Sequence, residues 1–127
     1  MTVRVLIVDD DDDIRTIAAL ALRTVGKMTV SSARSASDAF EMLQVQLPDL
    51  LLLDVMMPGM DGAAFFSSLK EQPHLAHIPV VFMTARAHGG EIERYLAMGA
   101  AGFVAKPFDP MTLAERLRSI LRSVSPR

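Results

Sequence analysis

At 127 residues, half of them hydrophobic and 22% charged, the chain has the size of one domain and the composition of a packed core rather than of a disordered segment. A net charge of -2 supplies no basic field for nucleic acid, the absence of cysteine excludes disulfides and thiolate metal sites, and no apolar run reaches the length of a membrane span. The first eight residues lack the basic start and cleavage site of a signal peptide, so a cytoplasmic protein is expected.

Residues 3–8 form an apolar run broken only by Arg4, which predicts a first strand, and the run stops at five consecutive aspartates, 9–13. Ile14, Ile17, Ala18, Ala21 and Val25 then recur at helical spacing until Gly26, placed to end a first helix that starts within the aspartates. Capping and dipole compensation occupy one or two acids at ~1 kcal/mol each, which leaves part of the run unexplained. Residues 28–33 read as a weaker, more polar strand. Ser35 or Ser37 caps a second helix whose apolar face is Ala36, Ala39, Phe40 and Leu43, and Pro48 follows its end.

The most informative stretch is residues 50–62, LLLLDVMMPGMDG. Its leucines have no polar alternation, so both faces of the strand must be covered, as in the centre of a parallel sheet, and the strand delivers Asp54 to the sheet's carboxyl edge. Pro58 and Gly59 break the strand, and Asp61 and Gly62 start a third helix ahead of Ala63, Phe65, Phe66 and Leu69. Pro73 and Pro79 bracket a loop into a fourth strand, 80–84, that ends in the hydroxyl of Thr84. Gly89 and Gly90 loosen the approach to a short helix over 91–98. Gly99 and Gly102 frame the turn into a fifth strand, 103–105, closed by Lys106. Pro110 opens a last helix whose stripe of Leu113, Leu117, Ile120, Leu121 and Val124 faces the sheet while Arg116, Arg118 and Arg122 face outward. Five alternations of strand and helix predict an α/β fold with a doubly wound parallel sheet.

Functional groups then collect on one edge: Asp9 and Asp10 after the first strand, Asp54 after the third, Thr84 and Lys106 after the fourth and fifth. Each alone has a bland reading, the acids as turn and cap residues, Thr84 as a strand residue and Lys106 as a solvated charge. Together they are an oxygen-ligand site in which clustered carboxylates repel unless a cation intervenes. Mg²⁺ suits the set better than Ca²⁺, because it takes one or two carboxylates and completes its octahedron with water and phosphate oxygens. Asp54 can then attack phosphorus as a carboxylate nucleophile, with the metal and Lys106 neutralising charge and Thr84 donating to a phosphoryl oxygen.

Over essentially the whole chain the sequence resembles the receiver domains of two-component response regulators. LIVDDDDDIR is similar to the family's acidic first turn, LLLLDVMMPGMDG to its phosphoacceptor strand and loop, VFMTAR to its hydroxyl motif and GFVAKPF to its lysine motif. The resemblance implies a flavodoxin-like five-stranded sheet of order 2-1-3-4-5 with five helices. It implies a single receiver domain over residues 1–127 with no output domain in this chain, phosphorylated on Asp54. It also implies Mg²⁺ bound by Asp9, Asp10, Asp54 and the Met56 carbonyl, and a phosphoryl group bound by Thr84, Ala85 and Lys106. Thr84 and Phe103 would form the switch, the Lys106–Pro107 bond would be cis, and the later aspartates would be left to capping. A histidine kinase or phosphotransfer protein would be the donor. A downstream effector, or a homodimer formed on phosphorylation, would meet the face made by the fourth helix, fifth strand and fifth helix, with no direct contact to nucleic acid or membrane. Phe103 stands where many members have tyrosine, and Gly89 and Gly90 stand where polar or acidic residues are usual.

Two alternatives use the same residues. Asp9 and Asp11 form an Asp-x-Asp resembling that of haloacid dehalogenase phosphohydrolases, although the chain is short for that class and Asp13 stands where threonine or valine is expected. A pseudo-receiver would keep the fold as a phosphorylation-independent interaction module. A flavin site is disfavoured by the five acids, which would repel the cofactor phosphate. His74, His77 and His88 lie in loops and read as solvated.

Overall fold

The apolar runs without polar alternation become the middle of the sheet in a computed structural model of the chain, which describes residues 2–57, 60–85 and 90–124. The strands are β1 (Arg4–Val8), β2 (Thr29–Ala33), β3 (Leu50–Asp54), β4 (Val80–Thr84) and β5 (Gly102–Ala105). They pair in parallel in the order β2-β1-β3-β4-β5, the flavodoxin-like order the resemblance implied. Every residue of β3 and β4 is buried, as two-sided strands require.

Side-chain alternation sorts the core into two layers. Leu50 and Leu52 join Val5, Ile7, Val81 and Met83 under α1 (Asp12–Thr24) and α5 (Leu113–Val124). Leu51 and Leu53 join Leu6, Val8, Val80 and Phe82 under α2 (Ala36–Val45), α3 (Gly62–Lys70) and α4 (Glu91–Ala97). In the second layer Phe82 stacks on Tyr95 of α4 with ring centroids 4.5 Å apart and meets Phe66 of α3 edge-on at 5.7 Å.

Helix starts follow local chemistry. Asp11 caps α1, its side chain accepting from the N–H groups of Asp13 and Ile14 at 2.8 and 3.2 Å, and Ser35 rather than Ser37 caps α2 by accepting from Asp38 N–H at 3.1 Å. Gly62 opens α3 in close contact with β3's exit: a Cβ there would stand 2.8 Å from Val55 Cα. Between β3 and α3, Met56–Met57 pairs antiparallel with Met60–Asp61, a small ladder where only a loop was expected. Pro58 and Gly59, assigned the strand break, and Gly89, assigned to the approach to α4, lie outside the described residues, as does the capping side chain of Asp61.

Several expectations are corrected. The buried stripe of α1 is Ala18, Ala19, Ala21 and Leu22, so Ile17 and Val25 are 45% and 42% exposed. Leu22 supplies the large buried side chain, and the helix is turned to seat it. Gly26 follows the end of α1 at Thr24 and its Val25 cap, as expected, while the left-handed residue after the helix is Lys27, with φ 56°. Gly26 is needed for space, since a Cβ would lie 2.6 Å from Ala114 Cβ of α5. Pro110 does not open α5, which begins at Leu113 after a turn organised by Asp109, whose carboxylate accepts from Met111 N–H at 2.9 Å and whose carbonyl accepts from Leu113 N–H at 3.0 Å. Arg118 does not face outward; it donates to the Gly26 carbonyl and ties α5 to the end of α1. Val124 is 40% exposed rather than part of the buried stripe. The fourth helix ends at Ala97, with Met98 as its cap, and Lys106 lies one residue beyond β5.

Candidate functional site

Strand register decides what meets at the carboxyl edge. Val8 is opposite Leu53, so the next residues, Asp9 and Asp54, are neighbours, and Thr84 is opposite Ala105, which places Lys106 beside them. Asp9 is fully buried, Asp54 is 4% exposed and Thr84 2%, whereas Asp10 is exposed. Lys106 Nζ lies 3.0 Å from Asp9 Oδ2 and 3.3 Å from Asp54 Oδ1. Its backbone N–H donates to the Thr84 carbonyl at 2.8 Å, and its bond to Pro107 is cis, as the resemblance implied.

Asp9 is held on several sides. Its N–H donates to the Ala33 carbonyl at 3.1 Å, its Oδ1 accepts from Asp11 N–H at 2.9 Å, and its carbonyl accepts from Arg15 Nη1 at 2.6 Å. Arg15 also pairs with Asp12. Oδ2 of Asp9 is buried and faces Lys106 as an ion pair, without the alignment of a hydrogen bond. Burial lowers the Lys106 pKa, but contact with Asp9 and the charge of Asp54 outweigh it, so the ammonium is held above its ordinary value. Lys106 is thus a fixed cation among acids.

One carboxylate oxygen from each of Asp9, Asp10 and Asp54 lies within 4.8 Å of the other two. An all-oxygen donor set, an exposed Asp10 open to solvent and a buried Asp9 oxygen lacking an aligned hydrogen bond fit a hard divalent cation such as Mg²⁺. Met56 is described only by its backbone, paired with Asp61 just beyond Asp54, and Ala85 is exposed directly after Thr84. Phe103 is half-buried on the edge strand β5, its ring 5.6 Å from the Arg116 guanidinium, while Arg116 donates to the Phe103 carbonyl at 3.2 Å.

Sequence reasoning missed Arg15 and the contact of Lys106 with Asp9. An arginine three residues after Asp12 signals a helical ion pair, but nothing in that spacing indicates a reach back to the Asp9 carbonyl.

A parallel sheet of this order, ending in an acid cluster with a lysine and a buried threonine, defines the receiver class of signalling domains. The family model for the response regulator receiver domain matches residues 5–118, and the chain belongs to that family, the two-component phosphoacceptor domains. It is 42% identical over 123 residues to the response regulator PleD of Caulobacter vibrioides, covering 96% of this chain and 27% of that protein. It is 36% identical over 126 residues to the phosphate regulon transcriptional regulatory protein PhoB of Escherichia coli, covering 99% of this chain and 55% of PhoB. The chain therefore spans about a quarter to a half of these relatives' lengths. Among solved structures it is similar to the chemotaxis response regulator CheY4 of Vibrio cholerae, with a TM-score of 0.86, 29% identity and coverage of 94% of this chain and 99% of that one. The phosphohydrolase and pseudo-receiver alternatives are not favoured by these likenesses. Among the described residues no helix is long and apolar enough to cross a membrane.

Proposed function

We propose that Asp54 accepts the phosphoryl group, that Asp9, Asp10 and Asp54 with the Met56 carbonyl hold Mg²⁺, and that Thr84, Ala85 and Lys106 bind the transferred phosphoryl. The observation that carries this reading is the contact of Lys106 with both Asp9 and Asp54, a ready positive charge beside the proposed nucleophile. Asp54 uses a carboxylate oxygen to attack phosphorus, forming an O–P bond as the donor's P–O or P–N bond breaks. The donor's leaving group departs with the bonding pair. Mg²⁺, when bound, supplies further positive charge to the phosphoryl oxygens. A histidine kinase or phosphotransfer protein is the proposed donor, and the cytoplasm is the proposed location of this chain. The whole of residues 1–127 is one receiver domain in this reading, and its output belongs to an effector protein or domain, or to a homodimer formed on phosphorylation.

The test is incubation with Mg²⁺ and a small acyl phosphate, followed by intact mass. One hydroxylamine-labile phosphoryl group is expected, and none when Mg²⁺ is chelated; uptake independent of Mg²⁺ would contradict the reading. Asp10→Asn is expected to weaken Mg²⁺ binding by about 10-fold or more and Asp13→Asn by less than about 3-fold. Asp10 is in the acid cluster, whereas Asp13 is an exposed residue of α1's first turn. Equal losses in a Mg²⁺ titration would contradict the assignment.

For the readout, a phosphoryl group of charge near -2 on Asp54 draws the Thr84 hydroxyl toward it. Phe103, which has no hydroxyl, then responds through packing against the space left and against Arg116. The differential contacts supply a bias on the order of 1–3 kcal/mol toward the active face of α4, β5 and α5. Hydrogen exchange with a beryllofluoride mimic is expected to change chiefly over residues 85–105, and Thr84→Ala is expected to remove most of that change. Persistence of the change in Thr84→Ala would rule out this coupling.

A further inference from the structure

Arg15 lies in the first turn of α1 with a side chain only 14% exposed, unusual for an arginine whose ion-pair partner, Asp12, is 85% exposed. The burial follows from its second contact, in which Nη1 donates to the Asp9 carbonyl at 2.6 Å. That carbonyl belongs to the peptide joining Asp9 to Asp10. The same peptide's approach is fixed by Asp9 N–H on the Ala33 carbonyl, and its continuation by Asp11 N–H on Asp9 Oδ1. Arg15 therefore adds a third contact to the turn that carries Asp10, the exposed member of the acid trio.

We infer that Arg15 is a positioning residue for cation binding, holding the Asp9–Asp10 peptide so that the Asp10 carboxylate is aimed at the cluster before a cation arrives. The inference rests on the reading of Asp9, Asp10 and Asp54 as Mg²⁺ ligands. Two physical roles make opposite predictions. If Arg15 acted only through its charge, its removal would relieve repulsion of Mg²⁺ and tighten binding. Because it orients a ligand, its removal loosens the turn and weakens binding, as loss of groups that fix metal ligands does.

The experiment compares the unsubstituted chain with Arg15→Met and Arg15→Lys in two measurements: the Mg²⁺ dissociation constant by calorimetry, and exchange in chelator of the Asp11 amide, which is hydrogen-bonded to Asp9 Oδ1 across the turn. Arg15→Met is expected to weaken Mg²⁺ by about 10-fold and to speed Asp11 exchange without metal. Arg15→Lys, which keeps a long donor, is expected to recover most of both. If Arg15→Met does not fold, Arg15→Gln takes its place. Unchanged or tighter Mg²⁺ binding in the Met or Gln variant, with normal binding in the unsubstituted chain, overturns this inference alone. No saturable Mg²⁺ binding in the unsubstituted chain overturns the metal reading and this inference with it.

Discussion

Asp54→Asn is expected to take up no phosphoryl group from a small acyl phosphate under conditions in which the unsubstituted chain takes up one. An amide oxygen is too weak a nucleophile to replace a carboxylate at phosphorus, and the neighbouring acids are not placed to substitute for it. Asp9 is within reach of Lys106 but fully buried, with Oδ1 committed to Asp11 N–H and Oδ2 facing the ammonium. Asp10 is exposed and off the sheet's hydrogen-bonded ladder. The substitution nearly preserves shape, so the unfolding midpoint reports whether the loss is chemical. Intact-mass spectra showing residual label in a folded Asp54→Asn protein would contradict the assignment.

Lys106→Met is expected to have a double effect: lower stability without divalent metal, and tighter Mg²⁺ binding. Removing the ammonium leaves the buried carboxylates of Asp9 and Asp54 facing each other without their counter-ion. Breaking a fully enclosed ion pair costs about 3–5 kcal/mol, and the solvent contact of Lys106 reduces the expected loss to about 1–3 kcal/mol. Mg²⁺ then binds without competing against the ammonium, which gives the opposite sign to the Arg15 substitution. The pH dependence has a definite direction. Because the folded-state pKa of Lys106 is raised, its contribution is complete below the ordinary lysine value and is lost as pH rises through the raised one. Urea unfolding in chelator should show a large difference between the two proteins at neutral pH that closes at strongly alkaline pH. A constant difference across that range would deny the ion pair its role.

Most of the sheet and much of the edge were legible because they depend on short-range patterns. A leucine run without alternation can only be a strand covered on both faces, and a parallel sheet brings the ends of such strands to one edge. Asp9, Asp54, Thr84 and Lys106 were found that way, each as the residue at or just past a strand's end. What was not legible depends on how helices are turned and how far they lie from one another. The repeat of Ile14, Ile17 and Ala18 permits more than one buried face of α1, and only seating Leu22 selects between them. Arg118 is 92 residues from the Gly26 carbonyl it binds, so its outward assignment on a helical wheel could not anticipate the close approach of α1 and α5. The start of α5 was misplaced because a proline suits a first helical turn, whereas the Asp109 turn delays the helix to Leu113. Lys106 was assigned to a phosphoryl group alone, and its service as counter-ion to Asp9 follows from the β4–β5 and β1–β3 registers together.

In the proposed chemistry phosphorus becomes bonded to Asp54. Borohydride reduces an aspartyl phosphate to homoserine, so the phosphorylated chain can be reduced, digested and mapped by peptide mass. Homoserine is expected at position 54 and aspartate at positions 9–13; homoserine at position 9 or 11, with position 54 unchanged, would contradict the assignment to Asp54 and point to the Asp-x-Asp chemistry instead.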